Sequence, residues 1–246
     1  PISVATTAQS RRRLYGLYGQ ASLGFNDYLF VTLTARNDWS STLPEENNSF
    51  FYPGATVGFI VSDAVPAVKS FADYFKVRAS WGKTGNDAPP YAINSVVEQS
   101  FAGFAFGGIR FPLAGVNAYE VSNRIGNKNL QPEITTEYEV GFNAKFFGNR
   151  LGLDFAYYNR STTDQIFSVP LASSSGFTSQ YMNFGEVTNK GIEAMVNVKP
   201  IRTNDFTWDI NYTFSRNRNE VVELPEGQDE VIINGAYDLD YVAMEG

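Results

Sequence analysis

The 246-residue sequence contains no cysteine and no histidine. The first absence excludes disulfides and thiolate metal sites. The second rules out a Ser-His-Asp triad inside the chain. Charge is also sparse, at 18% against roughly 25% in soluble domains. No window holds the roughly 18 consecutive apolar residues of a helical membrane span. This leaves a strand-built membrane wall open, because alternating strands keep mean hydropathy low, and here it is -0.23. The formal charge of -7 argues against nucleic acid as a partner. Pro1 to Arg13 lacks the apolar stretch of a signal peptide, so the sequence reads as a mature product or, preferably, a piece of something longer.

Aromatics are plentiful, with 20 Phe and 14 Tyr, and they favour strands. Apolar residues fall on every second position in segment after segment. Leu29, Val31, Leu33 and Ala35 alternate with Phe30, Thr32, Thr34 and Arg36; Phe206, Trp208, Ile210, Tyr212 and Phe214 alternate with Thr207, Asp209, Asn211, Thr213 and Ser215. A strand turns successive side chains to opposite faces, so each such segment offers one apolar and one polar face. The pattern predicts eight strands, at Leu14–Phe25, Leu29–Asn37, Phe50–Ser62, Tyr74–Gly82, Thr135–Phe147, Leu151–Ser161, Asn183–Lys199 and Phe206–Asn217. Most reach the roughly 9–11 residues that a tilted strand needs to cross a bilayer.

The connections alternate in length. Asn26-Asp27-Tyr28, Gly148-Asn149-Arg150 and Pro200 to Asp205 are short; Asp38 to Ser49, Lys83 to Ile134 and Thr162 to Met182 are long. Asp63 to Asp73 is intermediate and suggests a helical turn around Val68–Phe71. Short turns on one side and long loops on the other characterise outer-membrane barrels. A soluble β-sandwich also alternates, and periodicity alone does not separate the two. Aromatics near both ends of the apolar face favour the membrane reading. The fold class expected is therefore all-β, an antiparallel up-and-down transmembrane β-barrel segment of about eight strands with long external loops. Left unclosed, such a segment exposes two unpaired edges and should aggregate in water.

Several stretches resemble the SusC/RagA family of TonB-linked outer-membrane transporters. They are Arg13 to Gln20 leading through Tyr28 to Ser41, Phe51-Tyr52-Pro53, Lys76 to Asn86, Asn129 to Glu133 into Thr136 to Gly141, Tyr157-Tyr158-Asn159 to Asp164-Gln165-Ile166, and Asn183 to Glu193. They follow the family's order and span most of the chain. The resemblance implies a barrel of about 22 strands around a plug. It further implies TonB-dependent import of an oligosaccharide or peptide, and a SusD-like surface lipoprotein as a lid. On this reading residues 1–246 are part of the barrel domain, with the plug and terminal strands outside it, and the protein is an integral outer-membrane transporter, without cofactor and not an enzyme. A secreted soluble β-sheet module that binds glycans is the alternative, and a passive porin-like barrel a third.

Other motifs weigh less. Gly82-Lys83-Thr84 ends like a phosphate-binding loop, but Val77 stands where that loop needs glycine. Gly82, Gly85 and Asn86 are expected to turn the strand into its external loop through positive φ. Pro132 suits a strand start, where no donor is needed, and Asn189-Lys190-Gly191 suggests a bulge. Glu137 and Glu139 share a face about 7 Å apart, within the span of inverting glycosidases, yet such pairs are common in hydrated lumens. The aromatic, glycine-rich stretch Phe101–Phe111 reads equally as a ligand platform and as a self-packing loop or a hairpin extending the barrel wall. The residues nominated for ligand or lid contact are Asp38, Trp39, Asn86, Phe101, Phe104, Phe106 and Arg110.

Overall fold

The computed structural model describes residues 9–99, 101–104, 107–224, 230–236 and 239–244. The alternating segments form strands β1 (Leu14–Phe25), β2 (Leu29–Ser40), β3 (Ser49–Ile60) and β4 (Tyr74–Asn86). Short strands β5 (Val97–Gln99), β6 (Phe101–Phe104), β7 (Gly107–Arg110), β8 (Tyr119–Val121) and β9 (Arg124–Ile125) follow. The long strands resume with β10 (Glu133–Phe146), β11 (Leu151–Pro170), β12 (Ser179–Arg202) and β13 (Thr207–Glu223), and the hairpin β14 (Glu230–Ala236) with β15 (Leu239–Met244) completes the set.

The wall is an antiparallel meander in the order β1-β2-β3-β4-β10-β11-β12-β13. Consecutive wall strands are sheet neighbours, with β5 to β9 inserted between β4 and β10, as an up-and-down barrel requires. All eight expected strands are present, and the sheet remains open between β1 and β13 among the described residues.

The turns at one end are tight for local reasons. Asn26 and Asp27 both take positive φ, 48° and 57°, while the Tyr28 amide donates to the Phe25 carbonyl, giving a turn whose twist matches the flanking strands. At the next turn Phe147, Gly148 and Asn149 are all left-handed. Between β3 and β4 lie helix α1 (Val61–Ala64) and a 3-10 turn at Pro66–Ser70, beginning earlier than the expected turn near Val68 and taking in Ser62.

The opposite end departs more from expectation. Thr162 to Met182 is mostly not loop: β11 runs to Pro170 and β12 starts at Ser179, so a hairpin arm continues beyond the wall. Phe167 and Phe184 stack across it at 5.2 Å. Asp164 (φ 55°) and Gly185 (φ 79°) are both left-handed, at the break in pairing between Thr163/Glu186 and Gln165/Phe184. Lys83 to Ile134 contains two small antiparallel pairs, β5 with β8 and β6 with β7, separate from the wall, while β9 joins β12 in parallel. The Phe101 stretch is thus a hairpin that pairs with itself and does not extend the wall.

Three glycine assignments change. β4 continues through Gly82 and Gly85 to Asn86 without positive φ at either glycine; Gly82 instead lies against Gly54, and the Phe50 ring covers Gly85. Asn189-Lys190-Gly191 pairs in unbroken register with Asn219-Arg218-Asn217. Register shifts occur at Glu186/Val187 and Val198/Ile201, the second beside Pro200, which has no ladder donor. Gly191 serves close approach, since a Cβ there would stand 2.5 Å from the Tyr158 ring.

Candidate functional site

Register brings the apolar positions of every wall strand onto one face. One continuous row runs Phe25, Leu29, Phe59, Val77, Phe142, Phe155, Ala194 and Phe214; the next runs Leu23, Val31, Val57, Ala79, Val140, Tyr157 and Ile192. This face is uncovered: Leu23 is 65% exposed, Val140 52% and Trp208 50%. Phe142 stacks on Phe155 at 5.7 Å, and Phe75 tilts against Phe142 at 6.1 Å. Near the tight turns Tyr28 meets Phe25 and Phe59 edge-on, each at 5.8 Å. Towards the long loops Trp81 stands opposite Tyr138. From Tyr138 to Phe146 the apolar face covers about 27 Å along the strand at ~3.4 Å per residue. A tilt of ~40° projects this to about 21 Å, close to the ~25 Å apolar band of outer-membrane barrels.

The other face is polar and hollow. A groove of about 850 Å³ is lined from Tyr18 on β1 across Thr34, Arg36, Thr56 and Ser80 to Glu137, Arg160 and Asn189. Several charges of this face are paired across strands. Arg78 binds Glu139 at 3.1 Å and Asp154 at 3.0 Å, and Asn143 also donates to Asp154. Arg160 binds Glu137 at 2.6 Å. Both carboxylates of the suggested glycosidase pair are therefore held by guanidinium groups, which leaves neither placed as a general acid. Among the described residues, no group of three or more acidic side chains could hold a metal.

Long side chains lie flat on this face because glycines sit beneath them. A Cβ at Gly16 would stand 2.5 Å from Asp38, at Gly58 3.0 Å from Lys76, at Gly141 3.0 Å from the Arg78 guanidinium, and at Gly24 3.5 Å from Phe30. Strand glycines here mark close approach of a neighbouring side chain. The result is a groove left open by side chains that run along its wall.

At the loop end a packed rim stabilises the external segments. Leu43, Phe50, Ala88, Ala92 and Leu130 form a small apolar core, flanked by Tyr52, Ile93, Ile166 and Tyr181. Asp87 ties three segments together: Arg12 donates to it through two nitrogens at 2.9 and 2.6 Å, Thr42 at 2.9 Å, and Ser40 through its hydroxyl. The Asn129-Leu130-Gln131-Pro132-Glu133 run returns the chain to the wall, Pro132 directly preceding β10. Gln131 and Asn183 exchange hydrogen bonds of 2.8 and 2.7 Å, and Glu133 accepts from the Ile166 amide at 2.8 Å.

The nominated contact residues separate. Asp38 is buried at 4% exposure, paired with Arg36 at 2.8 Å and accepting the Tyr52 hydroxyl, so it is a rim brace. Trp39 occupies the outward parity opposite Tyr15 and Ser49, away from the groove. Asn86 donates to Glu133 at 2.9 Å, bridging β4 and β10. Phe101, Phe104 and Arg110 belong to the β6–β7 hairpin, while their side chains, and Phe106 altogether, lie outside the described residues. The structure does not bring Asp38, Trp39 and Asn86 into one site. Sequence reasoning missed Asp87, whose partners lie 45 to 75 positions away and leave no local signal.

Comparison with known proteins places this architecture. Residues 1–242 match the family model described as TonB dependent receptor-like, beta-barrel. The chain is 32% identical over 221 residues to TonB-dependent receptor P3 of Formosa agariphila, covering 88% of this chain and 21% of that protein. It is 31% identical over 232 residues to TonB-dependent receptor SusC of Bacteroides thetaiotaomicron, covering 91% and 22%. The chain thus spans about a fifth of the length of these curated relatives. The solved RagAB peptide transporter superposes with a TM-score of 0.82 at 22% identity, over 96% of this chain and 25% of the transporter chain, a likeness of fold.

Proposed function

The chain belongs to the TonB dependent receptor-like β-barrel family, and on that footing we propose that residues 1–246 are one section of the barrel wall of a nutrient importer. Proteins of this family are outer-membrane β-barrels and receptors, not enzymes. The full-length protein carries a bulky nutrient, an oligosaccharide or a peptide, inward with energy delivered through TonB. A plug and further strands complete the barrel, and a SusD-like lipoprotein covers the external rim.

The observation that carries the reading is the division of one sheet into an uncovered apolar face and a hollow, charge-paired polar face. Lipid satisfies the first and water the second. The similarity to SusC and to the RagAB peptide transporter supports the nutrient class and the lid. The groove wall suits a permeating polar solute, since Arg36, Glu137 and Arg160 along it are each held in an ion pair and add little net charge.

Uptake of labelled oligosaccharide and peptide pools by cells with and without the full-length protein tests the proposal. Loss of uptake of one pool, repeated on deletion of TonB, is expected, together with co-purification of a surface lipoprotein. Unchanged uptake of both pools overturns the import reading. Recovery of the protein in a detergent-free soluble fraction favours the secreted glycan-binding module.

A further inference from the structure

At the upper edge of the apolar band, in the register row of Trp81 and Tyr138, the outward face of β12 and β13 turns basic. Lys190 stands directly opposite Arg218, and Arg216 opposite Ile192, one outward step closer to the hydrocarbon. Residues two apart share a face, so Lys190, Arg216 and Arg218 form one cluster on the lipid side. All three are exposed, and none forms an ion pair among the described residues. Like charges directly opposite each other destabilise an antiparallel pair. Glu220, one outward step further on β13, faces Thr188 and forms no ion pair with Arg218. Asn159 flanks Lys190 on β11 and adds a neutral donor.

Position identifies what neutralises this cluster. Tyr157, Ile192 and Phe214 end the apolar rows immediately below, and the long loops mark this end as external. Lys190 lies one outward step, ~7 Å, past Ile192, and Arg216 and Arg218 lie one and two outward steps past Phe214, so the cluster begins at the hydrocarbon edge and its long side chains reach headgroup depth. Lipid phosphates are anions at that depth, and Lys or Arg side chains there attract them. We infer that Lys190, Arg216 and Arg218 bind the phosphate of an anionic lipid headgroup in the outer leaflet, with the acyl chains lying on Tyr212, Phe214 and Ile192. The site rests on the membrane placement of the wall and is independent of the nutrient carried.

Retention of lipid by the full-length protein, purified in detergent and weighed intact by mass spectrometry, tests the site. The probes are a phosphorylated glycolipid, the same lipid with its phosphate removed, and inorganic phosphate alone. The wild-type protein is expected to keep the phosphorylated lipid at least about tenfold better than the dephosphorylated one, consistent with several lysine or arginine contacts. The K190Q/R216Q/R218Q variant should fall to the dephosphorylated level while keeping the heat-modifiable gel migration of a folded barrel. Should the triple variant fail to assemble, Arg218→Gln alone should show a partial loss. Equal retention of both lipids, equal retention by wild type and variant, or binding of inorganic phosphate with no preference for the lipid overturns the inference. Nutrient uptake measured on the same variants keeps this outcome separate from the import reading, which requires no bound lipid.

Discussion

Arg78 on β4 crosses the whole width of β10 to reach Asp154 on β11, closing a 3.0 Å ion pair over the bare backbone of Gly141. Gly141 is the register partner of Arg78 on one side and of Ala156 on the other. Any side chain there would meet the guanidinium at 3.0 Å and the Phe155 carbonyl at 2.5 Å. The carbonyl belongs to the backbone and has little freedom to yield, so Gly141→Ala should lower stability by about 1–3 kcal/mol. Gly152→Ala is the control, because its nearest neighbour, the Asn197 Cβ, stands at 3.6 Å. The temperature at which the full-length barrel loses its folded gel migration should fall for the first variant and hold for the second.

Asp87 holds Arg12, Ser40 and Thr42 at once. Removing its charge leaves buried hydroxyls and a guanidinium with a weaker acceptor, a loss of about 1.5–3 kcal/mol for hydrogen bonds to a charged group. Asp87→Asn should therefore speed amide exchange in residues 40–43 and 87–92, with the wall strands unchanged. Arg12→Ala should do less, since its side chain is 48% exposed and its ion pair partly screened.

Leu130 is fully buried in the rim core beside Phe50 and Ala92. Leu130→Ala opens a cavity there and should cost about 2–5 kcal/mol locally. Protease cleavage between Lys83 and Ile134 should accelerate, with the barrel still inserted.

The two faces make opposite demands on charge. Phe142→Arg puts a cation in the hydrocarbon and should cost about 2–4 kcal/mol, seen as reduced assembly into the outer membrane. Thr56→Arg, on the groove side opposite Ser80, should assemble normally. Equal assembly of the two variants would abolish the assignment of faces, and the opposite order would reverse it.

The wall strands could be read from residue order because alternation is a local property of extended backbone. Leu14–Phe25 coincides with β1, and Trp208, Ile210, Tyr212 and Phe214 form one exposed stripe on β13, which Phe206 just precedes. The upper ends of the long strands were less legible. β11 and β12 continue beyond Ser161 and Asn183 with Thr, Gln and Ser in place of strong alternation, because pairing within the arm sustains them where amphipathicity does not. Asp38 and Asn86, polar residues near strand ends, bind Tyr52 and Glu133 on neighbouring strands, partners that local spacing does not reveal.

What residue order alone determined was the number of wall strands, the face each side chain takes and the family motifs, all of which depend on spacing within one segment. Tertiary structure alone decided which residues meet: that Arg78 finds Asp154 over a glycine, that Asp87 gathers the rim, and that Lys190 confronts Arg218. The physical reason is register. Sliding one strand by two residues keeps every side chain on its own face but changes every cross-strand partner, so faces follow from the segment and partners only from the assembled sheet.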